Sequence, residues 1–204
     1  MSEQQTYQTI ESGIEVEFKR SNSRFIGIAL PAVDHNDFQQ HLDEIKERFP
    51  DASHHCTAYR LLKDGKVEEA SDDDGEPPNS AGPPILQVMA GRELLNLMVV
   101  VVRYFGGTKL GVGGLIRAYG DATKMALDEI PVVTKIPHAQ LRIRYPHALT
   151  GTVMGVLHHN RVEIDSVDYD EWAQARITIP LAQREGLEQE LQEACAGQAE
   201  VHDD

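Results

Sequence analysis

The chain has 204 residues, of which 41% are hydrophobic and 25% are charged. This composition fits a globular protein of one or two domains, and it excludes collagen, a coiled coil and a chain that is disordered throughout. The formal net charge is −14. The average field therefore repels nucleic acid and anionic lipid, so binding to either needs a local basic site.

The first part of the chain predicts strands and one amphipathic helix. Segment 14–30 is rich in β-branched and aromatic residues and predicts one or two strands, broken at Ser21–Ser23. Residues 54–71 predict two further strands around the hairpin turn Asp64-Gly65. Between them, a helix is predicted over 34–49, because apolar residues recur there at helical spacing: Phe38, Leu42, Ile45 and Phe49.

A loop, a helix, a buried strand and a second helix follow. Residues 71–84 hold prolines, glycines and carboxylates without an apolar period, so they predict a loop. A short helix is predicted near 84–95 and a buried strand at Leu97–Arg103. After a glycine-rich turn, apolar residues on one side predict a helix at about 113–129.

The last third of the chain predicts a second unit. Residues 131–137 are interpreted as a linker or as the start of that unit, so we expect domains at 1–134 and 135–204. The order β-α-β-β-α-β is that of ferredoxin-like domains, and the predicted fold class of the chain is α+β. The predicted elements are a strand at 139–145, a helix at 146–160, strands at 161–169 and 171–179, a helix at 181–196 and an edge strand at 199–202.

The glycine-rich turn between the buried strand and the second helix carries the strongest chemical signal. A helix start offers unpaired N–H groups, glycines let a ligand approach the backbone, and flanking cations add charge, so an anion cradle is predicted. The residue order fits neither a P-loop nor a dinucleotide fingerprint, and a tight turn with close packing remains the alternative. The predicted phosphate- or nucleic-acid-binding residues are Arg103, Gly106, Gly107, Lys109, Gly111 and Arg117.

Two other segments carry reactive side chains. His54 and Cys56 share one face of a strand, where they could act as base and nucleophile or as metal ligands. A buried cysteine beside surface histidines is favoured, because no second cluster completes a zinc site. Asp74 and Glu76 resemble part of a calcium loop, but Pro77 replaces the required glycine, which favours a solvated acidic loop over divalent binding. We predict no catalytic residue, no metal and no cofactor.

Several motifs resemble those of the IMPACT/YigZ family in its bacterial form, and the resemblance covers nearly the whole chain. The second unit is similar to the C-terminal domain of the bacterial members. The motifs of the first unit are HHCTAYR at 54–60, DDGEP at 73–77, SAGPPIL at 80–86, VVRYFGGTKLG at 101–111 and GGLIRAY at 113–119.

The resemblance implies a fold and a class of partner. It implies an N-terminal α/β domain resembling the second domain of a small-subunit ribosomal protein, then a ferredoxin-like C-terminal domain resembling one in elongation factor G. Eukaryotic relatives regulate translation by binding a ribosome-associated activator of a stress kinase, so RNA or a ribosome-associated protein is the implied partner. The family motifs are expected to line one face with His54, Cys56, Arg60, Asp74, Glu76 and Tyr104.

The expected protein is cytoplasmic, binds RNA or a ribosome-associated partner, and influences translation without catalysis. No secretory signal pattern is visible, and the longest apolar run, Leu97–Val102, is too short to span a bilayer, so no membrane partner is expected. Two alternatives remain open. One is a protein-interaction module that docks on a basic translation partner. The other is an enzyme that acts on a nucleotide or phosphorylated small molecule at His54, Cys56, Asp74 and Glu76.

Overall fold

The structure, a computed structural model, describes residues 6–63 and 65–203. The chain divides into two compact units, Tyr7–Lys135 and the part that begins at Ile136. Both units combine antiparallel sheets with helices, so the α+β class is confirmed. None of the helices in the described residues is long and apolar enough to cross a membrane.

The first unit is built on a five-stranded antiparallel sheet with the strand order β2-β3-β6-β4-β5. The predicted strands and helices of this unit all form, with boundaries shifted by a few residues. Asp64 of the predicted hairpin turn lies outside the described residues. The elements are β1 (Tyr7–Ile10), β2 (Ile14–Arg20), β3 (Ser23–Pro31), α1 (His35–Arg48), β4 (His54–Lys63), β5 (Lys66–Asp72), α2 (Gly82–Gly91), β6 (Leu97–Tyr104), α3 (Val112–Glu129) and β7 (Val132–Lys135).

Helices cover both faces of this sheet. Leu42 and Ile45 of α1 pack on one face, and α2 and α3 pack on the other. The central strand β6 is therefore buried on both sides, from Leu97 through Arg103. Its odd-numbered residues face α2 and α3 and its even-numbered residues face α1, because successive side chains of a strand alternate. This alternation decides which side chains of β4 and β6 reach the candidate site.

Residues 131–135 of the segment interpreted as a linker or as the start of the second unit lie in the first unit, and the second unit begins at Ile136. Val132–Lys135 forms β7, which pairs antiparallel with β1, and Tyr7 lies opposite Lys135. Lys135 Nζ also lies 3.1 Å from Glu11 Oε1. The two ends of the first unit thus close on each other as a two-stranded ribbon.

The second unit has the predicted element order β-α-β-β-α-β. Its antiparallel sheet has the order β11-β8-β10-β9, and both helices contribute to its core. Each helix begins with a short 3₁₀ turn, at His147–Leu149 and Leu181–Gln183. The elements are β8 (His138–Tyr145), α4 (Thr150–His159), β9 (Glu163–Tyr169), β10 (Ala173–Pro180), α5 (Arg184–Ala194) and β11 (Glu200–Asp203).

Candidate functional site

The loop that joins β6 to α3 is positioned by two glycines with different roles. A Cβ added at Gly106 would lie 2.1 Å from the carbonyl carbon and oxygen of Asn22, so only glycine lets the loop pack on the β2–β3 turn. Gly111 precedes α3 with a φ of 69°, which strains any residue with a side chain. The requirement for glycine at position 106 is therefore explained by close packing in a tight turn.

Two backbone amides of this loop are engaged within the protein, and the first amides of α3 are available. The Phe105 amide donates to Ser53 Oγ at 3.0 Å and the Gly106 amide donates to Ser23 Oγ at 3.2 Å, so both are engaged within the protein. Val112 and Gly113 open α3, and the first N–H groups of a helix have no acceptor inside it. The amides at the start of α3 are therefore suited to an anion.

Arg103 is directed into the protein. Its relative exposure is 4%, and its Nη1 lies 2.5 Å from Glu76 Oε1. Its Nη2 donates to Ser23 Oγ at 3.3 Å, and the guanidinium lies over the rings of Phe25 and Phe105. The positive charge is therefore neutralised internally, whereas the sequence interpretation assigned Arg103 to phosphate contact. The reason is strand alternation, which turns residue 103 toward the helices.

Glu76 is the centre of this buried polar cluster. Its Oε1 accepts a hydrogen bond from Arg103 and another, at 2.7 Å, from the Tyr119 hydroxyl. His54 Nε2 lies 3.9 Å from the same oxygen. Burial raises the pKa of Tyr119, so the phenol stays protonated and remains a donor. We call Glu76, Arg103, Tyr119 and His54 the Glu76 cluster.

The acidic loop before α2 is held by its own carboxylates. Asp73 accepts hydrogen bonds from the amides of Asn79, Ala81 and Gly82, and it thereby caps a helix whose N-cap residue, Ala81, has no capping side chain. Asp74 Oδ2 accepts from the His55 amide at 2.6 Å, and the Asp74 carbonyl oxygen lies 2.8 Å from His54 Nδ1. The sequence favours a solvated acidic loop, but these carboxylates and Glu76 accept hydrogen bonds from donors of the protein itself. Within residues 6–63 and 65–203, no group of three or more His, Cys, Asp or Glu side chains is arranged to hold a metal ion.

The family-motif residues do not all lie on one face. His54 and Arg103 both lie next to Glu76, Asp74 contacts His54 through its carbonyl oxygen, and Cys56 contacts the same loop at the Asp73 carbonyl oxygen. Arg60 lies at the other end of β4, where it binds Glu69 and the Leu94 carbonyl oxygen. Tyr104 faces α1 and donates to Asp51 at 2.9 Å, because it is the strand neighbour of Arg103 and points the opposite way.

Cys56 is a core residue, as the favoured interpretation of the sequence predicts. It has no exposed surface, and its Sγ donates to the Asp73 carbonyl oxygen at 3.0 Å. Burial raises the pKa of the thiol far above its ordinary value. The nucleophilic thiolate is therefore disfavoured.

We expect Cys56 to resist thiol reagents in the folded protein. At pH 8 an aromatic disulfide reagent should label the native chain at least about a hundredfold more slowly than the unfolded chain, because reaction requires opening of the core. Cys195, the other cysteine of the sequence, is also buried and serves as an internal reference. Prompt labelling of Cys56 in the native state would contradict this assignment.

An open cleft lies between the Glu76 cluster and the start of α3. Its volume is about 320 Å³, and Glu76 and Arg103 are its buried polar residues. Phe105 is 48% exposed and Val112 is 52% exposed, so the cleft presents apolar surface to solvent. We call it the glycine-loop cleft, and its other apolar side chains are Pro77, Leu110 and Leu115.

Two exposed cations lie on the glycine loop and on the first turns of α3. Lys109 lines it, and Arg117 lies on the first turns of α3, where its Nη1 is 3.8 Å from the Cβ position of Gly113. Neither side chain forms an ion pair with a carboxylate among the described residues. The predicted cationic residues thus separate into a neutralised Arg103 and an available Lys109 and Arg117.

Sequence reasoning missed three residues that build the site. Ser23 accepts from both the Gly106 amide and Arg103, Tyr119 donates to Glu76, and Asp73 caps α2. Only Asp73 has a local signal, because an aspartate before a helix that lacks its own cap is a candidate capping residue. The partners of Ser23 and Tyr119 are distant in sequence.

Comparisons with known proteins agree with this architecture. The model of the Impact N-terminal domain matches residues 21–127, which include the whole glycine-loop cleft. IMPACT family member YvyE of Bacillus subtilis is 33% identical over 166 residues, which cover 81% of this chain and 76% of YvyE. IMPACT family member YigZ of Escherichia coli is 35% identical over 144 residues, 69% of this chain and 70% of YigZ. A crystal structure of a hypothetical protein matches with a TM-score of 0.73 and 26% identity, over 98% of this chain and 97% of that one. The chain therefore belongs to the IMPACT family.

Proposed function

We propose that this protein is a non-catalytic, cytoplasmic RNA-binding protein that influences translation, and that it holds RNA phosphates at the glycine-loop cleft. Family membership supports a translation-related role. The order β11-β8-β10-β9 also supports a ferredoxin-like second unit resembling a domain of elongation factor G. In the first unit, a domain resembling one of a small-subunit ribosomal protein would carry the RNA site.

The observation that carries this proposal is the pair of exposed cations at the start of α3. Lys109 lines the same cleft as Val112, and Arg117 Nη1 lies 3.8 Å from the Cβ position of Gly113, so both cations lie near the positive end of the helix dipole. The chain as a whole carries a net charge of −14, so a local cationic surface is the feature that RNA requires. Arg103, which Glu76 neutralises, supports the cleft from inside and is not assigned a phosphate.

The double substitution Lys109→Ala and Arg117→Ala tests this function. We expect weaker RNA binding and a log–log salt dependence that is shallower by about 0.7 for each phosphate that the variant no longer neutralises. The measurement is a fluorescence-anisotropy titration of labelled single-stranded RNA at several salt concentrations. Lys46→Ala with Arg48→Ala is the matched control, since it removes the same charge from α1 on the other face of the sheet. An equal decrease in affinity in both variants would show a general charge effect and would contradict a phosphate site at the cleft.

The enzyme alternative is favoured by one observation, the convergence of His54 and Glu76 beside the cleft. In that case a nucleotide or phosphorylated small molecule would bind there and His54 would exchange a proton with it, since Cys56 is inaccessible. Turnover of any nucleotide that His54→Ala abolishes would favour this alternative over binding alone.

A protein-interaction module is the third possibility, supported by the acidic charge of the chain as a surface for a basic translation partner. Co-purification with and without nuclease separates it from RNA binding. Partners that remain after nuclease treatment favour direct protein contact, and partners that disappear favour RNA.

A further inference from the structure

We propose that the glycine-loop cleft takes an unpaired base of single-stranded RNA, with the phosphates on either side of that base at Lys109 and Arg117. This inference rests on the proposed RNA binding and names the form of RNA that the site accepts. The alternative RNA substrate is a duplex, which would use the cations alone.

The apolar lining of the cleft is the first reason. A phosphate needs cations and amides, and it gains nothing from the apolar side chains of Phe105, Leu110, Val112 and Leu115. A planar base gains from both stacking and burial of apolar surface. In an A-form duplex the bases are stacked and paired, so they cannot enter a cleft beside the backbone. The combination of apolar lining and flanking cations therefore selects an unpaired nucleotide.

The aromatic ring of the cleft is already oriented before a base arrives. Phe105 is 48% exposed, and its ring centroid lies 5.4 Å from the guanidinium carbon of Arg103. Arg103 in turn is fixed by Glu76 and Ser23. A base that stacks on Phe105 therefore meets a ring with little freedom left to lose, which lowers the entropic cost of binding.

The placement of the two cations favours an RNA chain over a free nucleotide. Lys109 lines the cleft, whereas Arg117 lies outside it, over the first turn of α3 near Gly113. Two separate cations can each hold one phosphate of a chain, and a mononucleotide has only one phosphate. Ile116, which is 40% exposed, extends the apolar surface along α3 from Val112.

The test compares Phe105→Ala with Phe105→Tyr, using a fluorescently labelled uridine oligonucleotide, an RNA duplex of the same length, and uridine monophosphate as competitor. For Phe105→Ala we expect about a tenfold loss of affinity for the oligonucleotide, in the range that removal of one base-stacking ring produces. Phe105→Tyr keeps the ring and should restore binding. Duplex binding should be weaker in the wild-type protein and unchanged in both variants.

A second variant distinguishes a direct loss of binding from a loss of folding. Val112→Ala removes another exposed apolar side chain of the cleft. It should lower the affinity for the oligonucleotide a few-fold while the melting temperature of the protein stays unchanged. Loss of oligonucleotide binding only in variants that also melt early would overturn the inference.

The remaining outcomes separate this inference from the proposed function. In one outcome the oligonucleotide and the duplex bind equally well, Phe105→Ala has no effect, and the Lys109→Ala and Arg117→Ala double variant weakens both. That result overturns the unpaired-base inference and leaves the proposed RNA function intact. In another outcome uridine monophosphate displaces the labelled oligonucleotide as well as the unlabelled oligonucleotide does, at equal nucleotide concentration. That result overturns the assignment to an RNA chain. Failure of every RNA to bind overturns both.

Discussion

Glu76→Ala should lower the free energy of unfolding of the first unit by about 3–5 kcal/mol, the cost of leaving one charge of a buried pair without its partner. Arg103 is only 4% exposed, so water from the cleft replaces the missing carboxylate incompletely. The Tyr119 hydroxyl loses its acceptor in the same variant. The effect on the cleft should follow, because Arg103 is the group that orients Phe105.

The double variant Glu76→Leu with Arg103→Met separates two free energies. One is the net contribution of the ion pair to stability, and the other is the cost of leaving one of its charges buried without a partner. A buried ion pair replaced by apolar side chains of similar size often costs little, so the double variant should be more stable than Glu76→Ala. Hydrogen exchange of the β6 amides during urea unfolding is the appropriate measurement, because it reports directly on the first unit, whereas Trp172, the single tryptophan of the sequence, lies in the second unit. Glu15→Ala is the control carboxylate substitution. Its partner Arg48 is exposed, so loss of this ion pair should change the free energy of unfolding little. A double variant as unstable as Glu76→Ala would refute this account.

Local patterns were sufficient to predict most elements. The apolar spacing of α1 reflects a real one-sided contact, in which Leu42 and Ile45 are buried against the sheet. The break at Ser21–Ser23 is a tight turn between β2 and β3, and Ser21 and Asn22 have φ values of 46° and 64° there. Each of these signals lies within a few residues of the structure it specifies.

The β1–β7 ribbon could not be predicted in the same way. Each strand has four residues, and Tyr7 finds its partner at Lys135, at the opposite end of the unit. A short strand without long apolar alternation has no local signal, and its formation depends on a partner that only the folded unit brings close. The segment 131–137 therefore looked like a linker.

The direction of the cationic side chains was the main limit on predicting the site. Lys109 and Arg117 lie in a loop and on an exposed helix face, where a charged side chain points to solvent by default. Arg103 is the last buried residue of β6, and its orientation depends on Glu76, which is 27 residues earlier in the chain. Charge composition along a segment therefore identified the right loop but could not separate an exposed cation from one that its own protein neutralises.

Gly106→Ala should destabilise the first unit by about 3 kcal/mol, at the upper end of what overpacking usually costs. The added methyl group would lie 2.1 Å from the carbonyl of Asn22, which is backbone and cannot rotate away as a side chain would. The loop must therefore leave the β2–β3 turn, and the amide of Gly106 then loses Ser23 Oγ. Because Phe105 precedes this residue, RNA affinity should fall together with stability.

Gly113→Ala is the matched control for that substitution. It makes the same chemical change in the same segment, but its Cβ position has only Arg117 Nη1 near it, at an ordinary 3.8 Å. Since Gly113 lies within α3, alanine there should add up to about 1 kcal/mol of helix stability. Hydrogen exchange of the β6 amides measures both variants on one scale. If Gly106→Ala proved as stable as Gly113→Ala, the close contact with Asn22 would not be what holds the glycine loop, and the fixed position of Phe105 would need another cause.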